Sequence, residues 1–258
     1  MGTVQTFKLS IAPLKQNPRK IFVYLPDGYQ QSNKKYPVLY MFDGHNLFSD
    51  KTATYGKCWG IREYLDSRHL PLVVIGQDCN HTGNRRLSEY CPIPVPEDSW
   101  IAPLKPQGEI TAKWFADVLK PECEKRFRIC SDRKHVGIGG SSMGGLMSAY
   151  CIAEYNSIYG LAACVSSTMD INLPALLKII DQSEISADTR IYMDFGSNEI
   201  RSKLRTAEAI DNMLQINHAF QNKGCNTYPN IVVKGTHSEA SWQTIVPVFL
   251  NYLYRTDE

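Results

Sequence analysis

Residues 135–154 read HVGIGGSSMGGLMSAYCIAE, and this stretch decides the fold. It opens as a short apolar strand and closes with helical composition, so the residues between form a sharp strand-to-helix turn. That turn holds Gly140-Ser141-Ser142-Met143-Gly144, a G-x-S-x-G element. A serine at such a turn has a strained backbone, and side chains two positions to either side would clash, which accounts for glycine at 140 and 144. Only Ser142 has glycine on both sides at that distance; Ser141 does not. The turn lifts the Ser142 hydroxyl above the sheet edge and aims the N-terminus of the following helix at negative charge developing there. Ser142 is therefore the candidate nucleophile, against the plainer reading of a Gly/Ser turn that only packs helix on strand.

Working outward, runs rich in Val, Ile and Tyr alternate with stretches of helical period, the pattern of βα units around a largely parallel sheet. VQTFKLS and RKIFVYLP, separated by PLKQNP, read as an antiparallel hairpin leading into it. PVLYMFDG, LPLVVIGQD, HVGIGGS, GLAACVSS, RIYMDFG and NIVVKG follow as strands. Helices are expected around WGIREYLDSRH, EITAKWFADVLKPECEKRF, SMGGLMSAYCIAEY, PALLKIID, LRTAEAIDNMLQINHAFQNKG and SWQTIVPVFLNYLY, with Pro121 kinking or interrupting the second. Between about residues 79 and 108 lies an irregular stretch with five prolines, expected to contain no helix and to wall the active site.

The 258 residues suit one domain, 1–258, whose core needs neither disulfide nor metal. The eight cysteines show no C-x-x-C pair or zinc-ligand spacing, so no metal is expected, and buried free thiols point to a reducing compartment. A net charge of +2, with Lys and Arg scattered, argues against nucleic acid. No apolar run reaches membrane-spanning length and the N-terminal stretch lacks a signal-like core, so the expectation is a cytoplasmic protein that binds no membrane. MGTVQT and Asn80-His81-Thr82 fit myristoylation and glycosylation patterns and are read as chance matches. Nothing in the sequence indicates an oligomeric state.

A serine nucleophile needs a base, and after this type of turn the order is Ser, acid, His. Of the two histidines after Ser142, His218 lies within a helical run, whereas His237 follows the strand NIVVKG, where the base should sit. The acid that orients the imidazole should follow RIYMDFG; Glu199 lies beyond that strand, and Asp194, within it, is the alternative. One oxyanion donor should be the Met143 N–H, and the other an N–H of the loop Asp43-Gly44-His45-Asn46, with His45 nominated and Gly44 as fallback. Gly44 is also expected to let the backbone approach a ligand closely.

Together, KYPVLYMFDGHNLF (35–48), NRRLSEYCP (84–92), GIGGSSMGG, DFGSNE and GTHSEASW resemble the esterase D-like branch of the α/β hydrolases, the family of enterochelin esterases, feruloyl esterases and mycolyltransferases. The resemblance covers nearly the whole chain. It implies the α/β-hydrolase fold with an N-terminal antiparallel hairpin, helices on both faces of a mostly parallel sheet and no separate cap domain. It also implies ester hydrolysis through an acyl-enzyme, without metal or organic cofactor. The family carries an acid at the Glu199 position, more often Asp, which keeps Asp194 open. Its members acting on S-formylglutathione have a longer, cysteine-bearing oxyanion loop that DGHNLF does not match.

Phe48, Trp59, Tyr90, Trp100 and Trp242 fall near the expected mouth and suit a phenolic acyl group or a sugar face, with core packing the alternative for Trp59 and Trp242. Asn46 and Arg86 complete the candidate substrate-binding set. Arg85, Arg86 and Glu89 face either a polar leaving group or one another in a loop-bracing ion pair. The expected activity is a serine carboxylesterase acting on a small-molecule ester, such as an acetylated or feruloylated carbohydrate or a siderophore lactone. An acyltransferase and a non-catalytic binding protein on the same scaffold are the alternatives.

Overall fold

The computed structural model describes residues 1–14 and 18–254. Its strands are β1 (Thr3–Leu9), β2 (Arg19–Leu25), β3 (Val38–Met41), β4 (Val73–Gln77), β5 (Val136–Ser141), β6 (Leu161–Val165), β7 (Arg190–Gly196) and β8 (Asn226–Val232). They form one sheet in the order β1-β2-β4-β3-β5-β6-β7-β8. β2 runs antiparallel to both β1 and β4, and the remaining pairs are parallel. In the hairpin Thr3 faces Leu25 and Leu9 faces Arg19; positions 15–17 of the expected linker lie outside the described residues, as do 255–258.

The helices are α1 (Ile61–Arg68), α2 (Arg85–Glu89), α3 (Gly108–Trp114), α4 (Lys120–Arg126), α5 (Met143–Glu154), α6 (Leu173–Gln182), α7 (Lys203–Asn222) and α8 (Glu239–Tyr254). Successive strand side chains point to opposite faces, and two cores follow from that alternation. Val38, Tyr40, Val73 and Ile138 pack with residues of α3, α5, α6 and α7. Leu39, Met41, Val74 and Ala163 pack with Ile61 and Leu65 of α1 and with Trp242, Val246 and Phe249 of α8. Helices thus cover both faces, and the connection from β6 to β7 carries one helix of ten residues.

Two local features, in the stretch 79–108 and at β8, differ from expectation, while the helix is interrupted before Pro121 as expected. The stretch 79–108 does contain a helix, α2, because RRLSE precedes the first of the five prolines, Pro92, and is free to close a turn. It is anchored by Glu89, whose carboxylate receives the Arg19 guanidinium at 2.7 Å with side chains 1% and 7% exposed. Asn80 Nδ2 adds a bond to the same carboxylate at 2.6 Å, so Glu89 braces the loop and faces no leaving group. The sequon asparagine is accordingly buried.

Pro121 is accommodated by a widened segment, Phe115–Leu119, of π-helical form between α3 and α4. A proline lacks the N–H of a helical turn and clashes with the carbonyl four residues earlier; the wider turn places it in the first turn of α4, where neither matters. β8 starts earlier than NIVVKG and ends at Val232. As an edge strand with alternating exposed residues it tolerates Asn226 and Thr227, while Lys234 turns out of the sheet at φ 61°.

The eight cysteines are free thiols, seven of them buried. No described helix is long and apolar enough to cross a membrane.

Gly44 has a role other than the expected one. A Cβ there would lie 2.4 Å from the Gly76 carbonyl, so the close approach is between the loop after β3 and the backbone of β4. Gly44→Ala is expected to destabilise the protein by about 1–3 kcal/mol through this backbone overlap, read as a lower urea midpoint at unchanged m-value.

Candidate active site

The turn from β5 to α5 holds Ser142 at φ 58° and ψ −122°. Its N–H donates to the Val165 carbonyl at 3.0 Å, and its own carbonyl accepts from the Gly145 and Leu146 N–H groups. A Cβ on Gly140 would come within 2.9 Å of the Gly144 backbone, and one on Gly144 within 3.0 Å of the Phe42 side chain. The two glycines are therefore required by their mutual contact and by the neighbouring strand end.

Beyond β7, Glu199 folds back with its side chain only 2% exposed. Its Oε1 accepts the Gly196 N–H at 2.6 Å and the Ser166 hydroxyl at 2.6 Å. Its Oε2 lies 2.7 Å from His237 Nδ1, on the segment after β8. Ser166 is oriented in turn by the Trp242 indole N–H, which donates to its Oγ at 2.8 Å. Asp194 has no such contact with the imidazole: its oxygens accept the Ser166 N–H at 2.8 Å and the Tyr192 hydroxyl at 2.7 Å. Burial pushes its carboxyl up to about 7, against those two hydrogen bonds.

Ser142, His237, His45, Asn46, Arg86 and Trp242 line one cleft of about 440 Å³. One larger hollow, of about 730 Å³ beside Val95 and Pro103, is lined by no serine, cysteine or histidine. Met143 begins α5 and is fully buried. Among the described residues, the N–H groups of Met143 and His45 meet no protein acceptor.

Several expected binding residues have other work. Trp59 packs in the core, its ring 5.4 Å from that of Trp242 and 6.2 Å from that of Phe249. Phe48 stacks on Tyr24, and Tyr90 is buried with its hydroxyl on Gln77. Trp100 is exposed on the loop, where its indole donates to Asp170. Of the five rings expected at the mouth, Trp242 lines the cleft, edge-on to the His237 ring at 5.2 Å.

Arg86 is engaged by Asp43 in a two-pronged pair, Nε to Oδ1 at 2.8 Å and Nη2 to Oδ2 at 2.6 Å. Burial pushes the Asp43 carboxyl up, but the Arg86 charge and hydrogen bond outweigh it and hold the group below the ordinary carboxylate range. Asn46 donates to Glu239 Oε1 at 3.1 Å and accepts the Thr54 N–H at 2.9 Å. Sequence reading missed Asp43, Asn80, His81 and Glu239, all of which line the cleft. Glu239 is the first residue of α8, where an acid reads as an ordinary helix-start residue; desolvation pushes its carboxyl up.

A serine on a strained turn after the fifth strand, with the later strand ends converging on it, defines the α/β-hydrolase class. Residues 13–250 match the family described as "Putative esterase", and the chain belongs to that family; it is a carboxylic ester hydrolase. It is 27% identical over 201 residues to the uncharacterized protein YbbA of Bacillus subtilis (strain 168), covering 76% of this chain and 75% of that protein. Among solved structures it is similar to the siderophore hydrolase EstA from Aspergillus nidulans, with a TM-score of 0.74, 16% identity, and 98% and 95% of the two chains covered. A ferulic acid esterase gives a TM-score of 0.71 at 16% identity over 98% of this chain and 97% of its own. Identities at that level speak to the fold alone.

The buried Asp194 carboxyl makes stability pH-dependent. Its folded-state value of about 7 lies above the ordinary 3.8, so the folded state retains a proton that the unfolded state has released, and stability falls as pH rises between the two values. Asp194→Asn does not titrate. Its unfolding free energy relative to wild type is expected to increase by about 2 kcal/mol from pH 5 to pH 7, measured by urea unfolding at both pH values.

Proposed function

We propose that this chain hydrolyses small acyl esters of polar, hydroxyl-bearing alcohols through an acyl-enzyme on Ser142. The 2.7 Å contact between His237 Nδ1 and Glu199 Oε2 carries the reading. With Nδ1–H turned to the acid, Nε2 is left as the acceptor for the Ser142 proton, and the carboxylate stabilises the imidazolium that forms on attack.

Ser142 Oγ adds to the ester carbonyl as its proton passes to His237 Nε2. The oxyanion is met by the N–H groups of Met143 and His45, which are free of protein acceptors among the described residues. Collapse of this intermediate expels the alcohol, which takes the proton from Nε2. Water, deprotonated by the same nitrogen, then releases the acid and restores Ser142. The lining supports a polar alcohol: Asn46, Asn80, Arg86 and Glu239 face the cleft, whereas Trp59, Phe48 and Tyr90, which would grip a phenolic ring, pack elsewhere. Residues 13–250 are taken to act as one catalytic domain, and the buried free thiols favour a reducing compartment such as the cytoplasm.

With p-nitrophenyl acetate, Ser142→Ala and His237→Ala are each expected to lose at least ~10³-fold in kcat, and Glu199→Gln at least ~10²-fold, all three folded by circular dichroism. A fluorophosphonate probe should label wild type and leave Ser142→Ala unlabelled. Turnover that survives Ser142→Ala would sink the mechanism. On natural ester types, kcat/KM for an acetylated sugar is expected to exceed that for methyl ferulate; the reverse order would reject the polar-alcohol reading.

A further inference from the structure

We propose that His45, Asp78, Cys79 and His81 form a binding site for a divalent transition-metal ion, Zn²⁺ foremost, at the mouth of the serine cleft. The loop after β3 supplies His45, and the segment leaving β4 supplies the other three. One donor atom from each residue lies within 4.8 Å of every other. Donors at ~2.0–2.3 Å from a tetrahedral ion stand about 3.3–3.8 Å apart, so shifts of well under ~1 Å per donor close the site.

The arrangement is crowded. Asp78 Oδ1 meets two imidazoles at once, His45 Nδ1 at 2.9 Å and His81 Nε2 at 2.8 Å. The first of these contacts is poorly aimed, and buried His45 Nδ1 makes no hydrogen bond of acceptable geometry. The other ring nitrogen, Nε2, is engaged by Thr54 Oγ1 at 2.9 Å, which fixes the ring and turns Nδ1 toward Asp78. Cys79 Sγ stands 3.9 Å from His81 Nδ1. His81, 58% exposed, gives the ion a path from solvent.

Two imidazoles, a carboxylate and a thiol form the mixed nitrogen, oxygen and sulfur set that suits Zn²⁺, and they do not suit Mg²⁺ or Ca²⁺, which take oxygen ligands. On binding, the thiol proton leaves to solvent and the thiolate ligates the ion. An occupied site would clamp the loop carrying the His45 N–H to the end of β4. The site stands on its own geometry and does not require Ser142 to be the nucleophile.

The test is calorimetric titration of the EDTA-treated full chain with Zn²⁺ alone, in parallel with Asp78→Asn, His81→Ala and Cys79→Ser. Wild type is expected to bind one ion and to gain thermal stability from it. Asp78→Asn and His81→Ala should each weaken binding at least ~10-fold. Since His81 is largely exposed, its replacement leaves the fold intact, which the metal-free melting curve checks. With Co²⁺ as probe, wild type should show a thiolate charge-transfer band that Cys79→Ser lacks. Absence of saturable Zn²⁺ binding, or equal affinity in wild type and His81→Ala, would overturn the site. A charge-transfer band persisting in Cys79→Ser would overturn the four-ligand assignment.

Discussion

A carboxyl group placed where water barely reaches it must find its donors within the protein, and Glu199 imposes that demand on everything around it. Its two oxygens collect the Gly196 N–H, the Ser166 hydroxyl and the His237 ring. Ser166 can serve only because the Trp242 indole N–H holds its oxygen and Asp194 receives its backbone N–H. One acid thereby ties together the ends of β6, β7 and β8 and the first turns of α8. Trp242 is held on one side by this bond and on the other by Trp59 and the core. Ring packing directly behind the cleft therefore bears on the orientation of the imidazole.

The same logic explains a buried ion pair such as Arg19 with Glu89. Pairs of this kind contribute little net stability after desolvation, but removing one partner strands the other. Here the pair joins β2 to α2, and α2 carries Arg86 to Asp43 in the loop after β3. The wall of the cleft is thus held by charges satisfied within the protein, and Arg86 enters the cleft already committed to a carboxylate.

Legibility in the sequence followed the range of the interactions concerned. The alternating strand pattern and the G-x-S-x-G turn are local, and the sheet and the turn at Ser142 could be read from them. That Ser142, His237 and an acid, Glu199 or Asp194, fall near one edge could be read because parallel strands deliver their following residues there; the choice between the two acids could not. Rings were not legible: Trp59 and Trp242 both stand near helix starts, and tertiary contact alone decides that one packs in the core and the other borders the cleft. Asp43 and Glu239 gave no signal, since acids at a turn or helix start occur widely for local reasons. α2 was hidden by the prolines after it, and the grouping of His45 with Asp78, Cys79 and His81 by the long stretch of chain, with α1 and β4, that separates them.

A serine at φ 58° and ψ −122° sits in a region that glycine occupies freely, and the strain costs on the order of 1–3 kcal/mol. Stability and chemistry pull this position in opposite directions. In a lineage released from any need for the hydroxyl, drift at 142 would run toward glycine and the fold would grow firmer. On the mechanism proposed above, serine would persist there only under selection for its oxygen, so the residue at this one position would record whether a descendant of this chain still works.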